Sequence, residues 1–230
     1  MQRTAKHQTM INKQTCSLDE AVSVVENGSV LLVGGFGDIG VPLRLLEALS
    51  KRKLQDLTLV SNNAGTGENG LSLLFKHRLV SKVIASFPEQ AGADHFLAAL
   101  KRGEVTVELV PQGTLAERLR AGGAGLAGFF TPTGYGTELT KGKESRIING
   151  KGYVYESAIV GDFALVKAQR ADRYGNLRYR LASRNFNPVM AMAAKHTIAQ
   201  VGEVVALGDI GPDDIHTPGV YVNQIVECGT

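Results

Sequence analysis

VLLVGGFGDIGVP, residues 30 to 42, decides the fold of this chain. Val30-Leu31-Leu32-Val33 is apolar without interruption. A strand wetted on one face would alternate, so this run predicts a strand covered on both faces, as in a parallel sheet. Gly34-Gly35-Phe36-Gly37-Asp38-Ile39-Gly40 then turns the chain, and Pro42 opens a helix running to about Lys51, where its fixed φ suits the first turn. Strand, glycine loop and helix in this order can cradle a phosphate on backbone N–H groups, or can be a tight turn with no ligand. Gly35-x-Gly37-x-x-Gly40 has the bare dinucleotide spacing, yet Phe36 is bulky where such loops carry something small, and no Lys-Ser or Lys-Thr follows as in a Walker loop.

The same alternation extends in both directions. Upstream, Ser17-Leu18-Asp19-Glu20 forms a capping box for a helix that stops at Asn27-Gly28. Downstream, Leu57 to Val60, Lys82 to Ala85 and Val105 to Val110 read as strands, and Leu71 to Arg78 and Ala93 to Arg102 as helices. Thr114-Leu115-Ala116-Glu117 is a second capping box, predicting a helix from there through Arg120. The Gly-rich stretch from Gly122 to Gly136 is long for a connection, which predicts a functional loop. A hairpin around Asn149-Gly150 pairs Ser145 to Ile148 with Tyr153 to Glu156. Phe163 to Val166 is another buried strand, Asp172 to Asn176 a turn, Leu177 to Leu181 a strand, Val189 to Lys195 a helix, and Thr197 to Val226 several short strands. The fold class is α/β: an open, mostly parallel sheet covered by helices on both faces. Residues 1–16 form a polar tail and residues 17–230 one compact domain.

Composition removes several function classes. With 230 residues the chain can bury a core without staples, and its two cysteines, Cys16 and Cys228, have no disulfide-framework or zinc spacing. His7, His77, His95, His196 and His216 share no metal-ligand spacing either, so no metal site is predicted. A net charge of +3 with scattered Lys and Arg speaks against nucleic acid and suits a small anionic substrate. No apolar run reaches bilayer length and the opening residues lack a secretory apolar core, so a cytoplasmic protein with no membrane partner is expected.

Three polar groups fall where ligands bind in open parallel sheets, at the carboxyl ends of strands: Asn62 and Asn63 after Leu57 to Val60, and Gln112 after Val105 to Val110. Their amides can donate to a carboxylate or acyl oxygen, or can simply cap turns. Arg184-Asn185-Phe186-Asn187-Pro188, with Arg170 and Arg173 upstream, offers cations for an anionic substrate or a solvated face. Glu68-Asn69-Gly70 places a carboxylate on a turn entering a helix, where a negative charge is favourable for its own sake.

In order along the chain, these features resemble one family. Asn27-Gly28, the apolar strand, Gly34-Gly35-Phe36, Gly40 and Pro42 look like the signature of family I coenzyme A transferases. SNNAG (61–65), PQGTLAER (111–118), AGGAG (121–125), TPTGYGT (131–137), GDFALVKA (161–168), GN (175–176) and RNFNP (184–188) are similar to the A (α) subunit of 3-oxoacid CoA-transferases. NAGTGENGL (63–71), SFPEQ (86–90) and AMAAKHTIAQV (191–201) lean toward the 3-oxoadipate branch, with acetoacetate as the other acceptor.

The resemblance implies ping-pong transfer of CoA from succinyl-CoA to a 3-oxoacid. A glutamate in a Ser-Glu-Asn-Gly motif of a partner B (β) subunit carries the covalent intermediate, in an α2β2 assembly. It implies no cofactor beyond CoA thioesters as substrates, and no catalytic nucleophile on this chain. Asn62, Asn63 and Gln112 become substrate-binding groups, and Gly34, Gly35, Phe36, Gly37 and Gly40 the active-site loop. Sugar-phosphate isomerases and ligand-sensing domains use a similar open sheet and are the alternatives from another class.

Overall fold

The structure, a computed structural model, describes residues 11–15 and 17–229. Cys16, most of the expected tail and Thr230 lie outside the described residues. Strand and helix alternate through the first half: α1 (Leu18–Val22), β1 (Val30–Val33), α2 (Leu43–Ser50), β2 (Leu57–Ser61), α3 (Ser72–Lys76), β3 (Val80–Ala85), α4 (Asp94–Lys101), β4 (Thr106–Leu109) and α5 (Gln112–Gly123). Then come β5 (Gly128–Thr131), β6 (Ser145–Ile148), β7 (Lys151–Ser157), β8 (Gly161–Asp172), β9 (Leu177–Arg178), α6 (Asn187–Ala193), β10 (Ala194–Val205) and β11 (Gln224–Glu227).

The large sheet has the order β11-β10-β8-β1-β2-β3-β4, parallel throughout, with β9 folding back antiparallel on β8. Successive side chains of its strands point to opposite faces, and the core splits accordingly. Leu31, Val33, Leu57 and Leu59 pack with α1 to α4, whereas Leu32, Val60, Ile84 and Val166 pack with α5 and α6. Both faces are thus covered, as the apolar runs predict. The chain grows outward from β1 to β4 and returns to add β8, β10 and β11 on the other side of β1. That reversal makes a topological switch point between β1 and β8, and ligand crevices in such sheets lie at the carboxyl ends beside it.

Several expectations need correction. The helix opened by Ser17 is a short one: the Ser17 hydroxyl accepts the Glu20 N–H at 3.1 Å, but the helix ends at Val22. The second capping box opens nothing, because α5 already begins at Gln112 after Pro111 and encloses Thr114, a buried residue. The Gly-rich segment from Gly122 to Gly136 is not one functional loop. Gly122 and Gly123 end α5, where added β-carbons would meet the Ile159 carbonyl and Met192, and Gly128 starts β5. Glycine serves close packing there. The hairpin turns at Asn149 and Gly150 as predicted, at φ 53° and 76°, but Ser145 to Ile148 pair with Lys151 to Val154, two residues earlier than expected, while Tyr155 and Glu156 pair with β5 in a small antiparallel sheet, β5-β7-β6. The short tail strands are instead dominated by β10, which pairs with the equally long β8.

An ion network ties the small sheet to the large one. Arg118 on α5 is buried; its Nη1 donates to Glu108 on β4 at 2.7 Å and its Nε to the Ser157 carbonyl at 2.7 Å. Glu156, also buried, pairs with Lys143 at 2.6 Å. Burial pushes the Glu108 carboxyl up, but hydrogen bonds from Arg118 and Lys82 outweigh it and leave its pKa lowered.

Candidate functional site

The carboxyl ends of β2, β3 and β4 meet in a shelf of neutral polar groups. Asn62 follows β2 directly, and its Oδ1 accepts from Gln112 Nε2 at 2.8 Å and from Ser86 Oγ at 2.9 Å. Its backbone carbonyl accepts the N–H groups of Phe87 at 3.0 Å and Ser86 at 3.3 Å. Asn62 is therefore bound to the first residues after β3 and to the first residue of α5. With the amide orientation this network assigns, its Nδ2 has no partner within the described chain. Gln112 is exposed at the opening of the shelf.

Asn63 turns toward the neighbouring loops. Its Oδ1 accepts the Gly65 N–H at 2.9 Å and its Nδ2 donates to the Gly37 carbonyl at 3.3 Å, so it ties the shelf to the glycine loop. In that loop the backbones of Phe36 and Ile39 bond each other at 3.0 and 3.1 Å across Gly37-Asp38, with Gly37 at φ 57°. Phe36 and Ile39 are half exposed, as is Phe87 on the other flank of Asn62. Apolar side chains thus rim a polar floor.

The glycine loop is held from behind by RNFNP. Asn187 is fully buried; its Nδ2 donates to the carbonyls of Gly40 at 3.0 Å and Ser183 at 2.8 Å, while its Oδ1 accepts the Lys167 N–H of β8 at 2.9 Å. A β-carbon on Gly34 would overlap that carboxamide, which explains glycine at that position. Asn185 Nδ2 donates to the Ile39 carbonyl at 2.9 Å. Sequence reading singled out this stretch for its arginines and missed its amides; two asparagines flanking a buried aromatic, just before a proline, were the available signal.

The helix N-terminus that follows the loop has its donors already engaged. At the start of α2 the Leu43 N–H bonds Val41, those of Arg44 and Leu45 bond Gln200 Oε1 at 2.9 and 3.4 Å, and Leu46 bonds Pro42. Gln200 reaches over from β10 and occupies two donors that a helix N-terminus would otherwise offer an anion.

Glu68 lies away from the shelf, on the turn before α3. Its carboxylate is 70% exposed and pairs with Lys76 at 2.7 Å and His95 at 2.9 Å. The hydrogen bond from Lys76, then that from His95, holds its carboxyl below the usual glutamate range. Among the described residues no helix is long and apolar enough to cross a membrane, and no cluster of His, Cys, Asp and Glu is arranged to hold a metal ion.

The fold recurs in known proteins. The chain is 50% identical to the A subunit of a 3-oxoadipate CoA-transferase from Pseudomonas putida, over 94% of each chain. It is 47% identical to the A subunit of a succinyl-CoA:3-ketoacid coenzyme A transferase from Helicobacter pylori, over 94% of this chain and 92% of that one. The acyl-CoA transferase YdiF of Escherichia coli O157:H7, solved as a thioester complex with CoA, shares the fold. Its TM-score is 0.81 at 22% identity, and the match covers 94% of this chain and 47% of the longer one. The Coenzyme A transferase family model spans residues 15–228, and with it the glycine loop, the shelf and the asparagines behind them: the chain belongs to the coenzyme A transferase family.

Proposed function

We propose that this chain is the A subunit of an enzyme that moves CoA from succinyl-CoA to a 3-oxoacid, 3-oxoadipate first and acetoacetate second. It works with a B subunit in an α2β2 assembly, without a cofactor, in the cytoplasm. The observation that carries this reading is the chemistry of the shelf: Ser86 and Gln112 both donate to the Asn62 carboxamide, through neutral groups alone. Neutral amides orient a carboxylate or stabilise a developing oxyanion without supplying a nucleophile.

The nucleophile then belongs to the partner. A glutamate carboxylate there attacks the thioester carbonyl, releasing CoA thiolate and forming a mixed anhydride. The thiolate attacks the glutamyl carbonyl, giving a glutamyl-CoA thioester and free succinate. The acceptor carboxylate reverses the sequence and leaves as its CoA thioester. Asn62 and Gln112 face the carboxylate and acyl oxygen, Asn63 binds the loop to them, and the glycine loop from Gly34 to Gly40 forms the wall toward the partner. The exposed Phe36, Ile39 and Phe87 around the shelf give that partner an apolar rim to cover. The match to about half of a longer acyl-CoA transferase chain supports a division of the site between two chains.

The acceptor ranking rests on three stretches of sequence, NAGTGENGL (63–71), SFPEQ (86–90) and AMAAKHTIAQV (191–201); relatives bearing the 3-oxoadipate and the 3-ketoacid names stand side by side at 50% and 49% identity. The test is to purify the chain alone and together with its B subunit, then follow CoA transfer from succinyl-CoA to 3-oxoadipate and to acetoacetate. Transfer is expected only from the pair, and faster to 3-oxoadipate. Robust transfer by the isolated chain, or none by the pair, refutes the reading.

A further inference from the structure

We infer that Ser86 is a positioning residue: its hydroxyl fixes the rotation of the Asn62 carboxamide when Gln112 turns to bind substrate. The inference rests on the proposed function, in which Asn62 faces the substrate.

Rotation of an Asn side chain about its last torsion is broad and roughly two-fold, so an untethered amide offers donor and acceptor edges indifferently. Asn62 has two side-chain tethers. One is Gln112 Nε2, at the end of a three-torsion side chain on an exposed residue. The other is Ser86 Oγ, one torsion away from a backbone whose N–H groups at Ser86 and Phe87 already bond the Asn62 carbonyl. The serine tether closes a short ring between the ends of β2 and β3. The glutamine tether does not: nothing else in the described chain bonds the Gln112 side chain. A substrate oxygen competing for Gln112 Nε2 therefore removes one tether and leaves the other. From the same position Ser86 Oγ also lies 3.1 Å from the Asn62 carbonyl, so both acceptors of the hydroxyl belong to Asn62. No charge is involved, and the hydroxyl donates without lowering the basicity of a partner carboxylate.

The test uses the assembled complex of both subunits and four variants: Ser86→Ala, Ser86→Thr, Asn62→Ala and the Ser86→Ala/Asn62→Ala double. Ser86→Ala is expected to lower kcat about 3- to 10-fold, the worth of one hydrogen bond, with little change in KM for succinyl-CoA. Ser86→Thr, which keeps the hydroxyl, is expected to retain kcat within about 2-fold on the same scale. The double variant should match Asn62→Ala alone, since a tether has no role without the amide it holds.

A silent Ser86→Ala beside an impaired Asn62→Ala overturns this inference and leaves the proposed function standing. A further loss from Ser86→Ala in the Asn62→Ala background overturns it too, by showing that Ser86 acts independently. A Ser86→Ala chain that no longer assembles makes the residue structural, which overturns the inference as well. Full activity in Asn62→Ala instead overturns the substrate reading of the shelf, and the inference with it.

Discussion

Asn62 and Glu68 leave the same strand a few residues apart and end in opposite surroundings. Asn62 is 6% exposed, and its amide is bound through neutral groups to the ends of two neighbouring strands. Glu68 is a charged group on an open turn, bonded by Lys76 and His95. A carboxylate engaged by two donors, with its pKa lowered, is a poorer nucleophile than a free one. What separates the two is their place in the sheet. Only residues at the strand ends are brought beside one another by the parallel ladder, whatever letters a turn displays.

The largest effect is expected from attacking the support of the loop wall. Asn187→Asp puts a carboxylate oxygen against the carbonyls of Gly40 and Ser183, where the amide donates. An uncompensated buried charge there should cost about 3 to 5 kcal/mol, read as a fall in the midpoint of chemical unfolding. Gln112→Ala sharpens the comparison at the shelf itself. Turnover of the complex should fall on the order of 100-fold with assembly intact, the usual scale for one lost oxyanion donor; unchanged turnover removes Gln112 from the site.

The turn is expected to respond electrostatically and little else. In an NMR titration Glu68 should ionise below the ordinary glutamate value of about 4.3, and move up toward it in Lys76→Ala. Because its folded pKa is depressed, its stabilisation is present above the unfolded pKa and is lost as pH falls through the folded one. At an exposed pair that contribution is small. Glu68→Gln is the smallest perturbation, expected to keep activity within about 2-fold, as for an exposed surface pair.

The sheet was legible in sequence because its strands announce themselves twice. Val30 to Val33 is too apolar to be wetted on either face, Leu57 to Val60 carries only Thr58 among apolar residues, and each is followed by a turn signal and a helical stretch. β10 was not, since Gly202, Glu203 and the polar residues around Thr197 break its apolar run; its ladders with β8 and β11 hold it extended. The capping box at Thr114 misled because Ser/Thr-x-x-Glu also occurs inside helices, and Pro111 a few residues earlier was the true start. At the site, strand ends could be placed from sequence, which located Asn62, Asn63 and Gln112. Ser86 follows the predicted strand Lys82 to Ala85 and could be placed by the same rule, though it was not singled out; Asn187 and Gln200 lie away from the strand ends and act through partners far along the chain.

The division of labour between this chain and its partner is open to one direct measurement. The assembled complex is mixed with succinyl-CoA without acceptor, the thioester adduct is trapped by borohydride reduction, and each chain is weighed and sequenced by mass spectrometry. The account predicts modification of a single glutamate on the B subunit, with the A chain left unmodified. An adduct on Glu68, or on any other carboxylate of this chain, would contradict it.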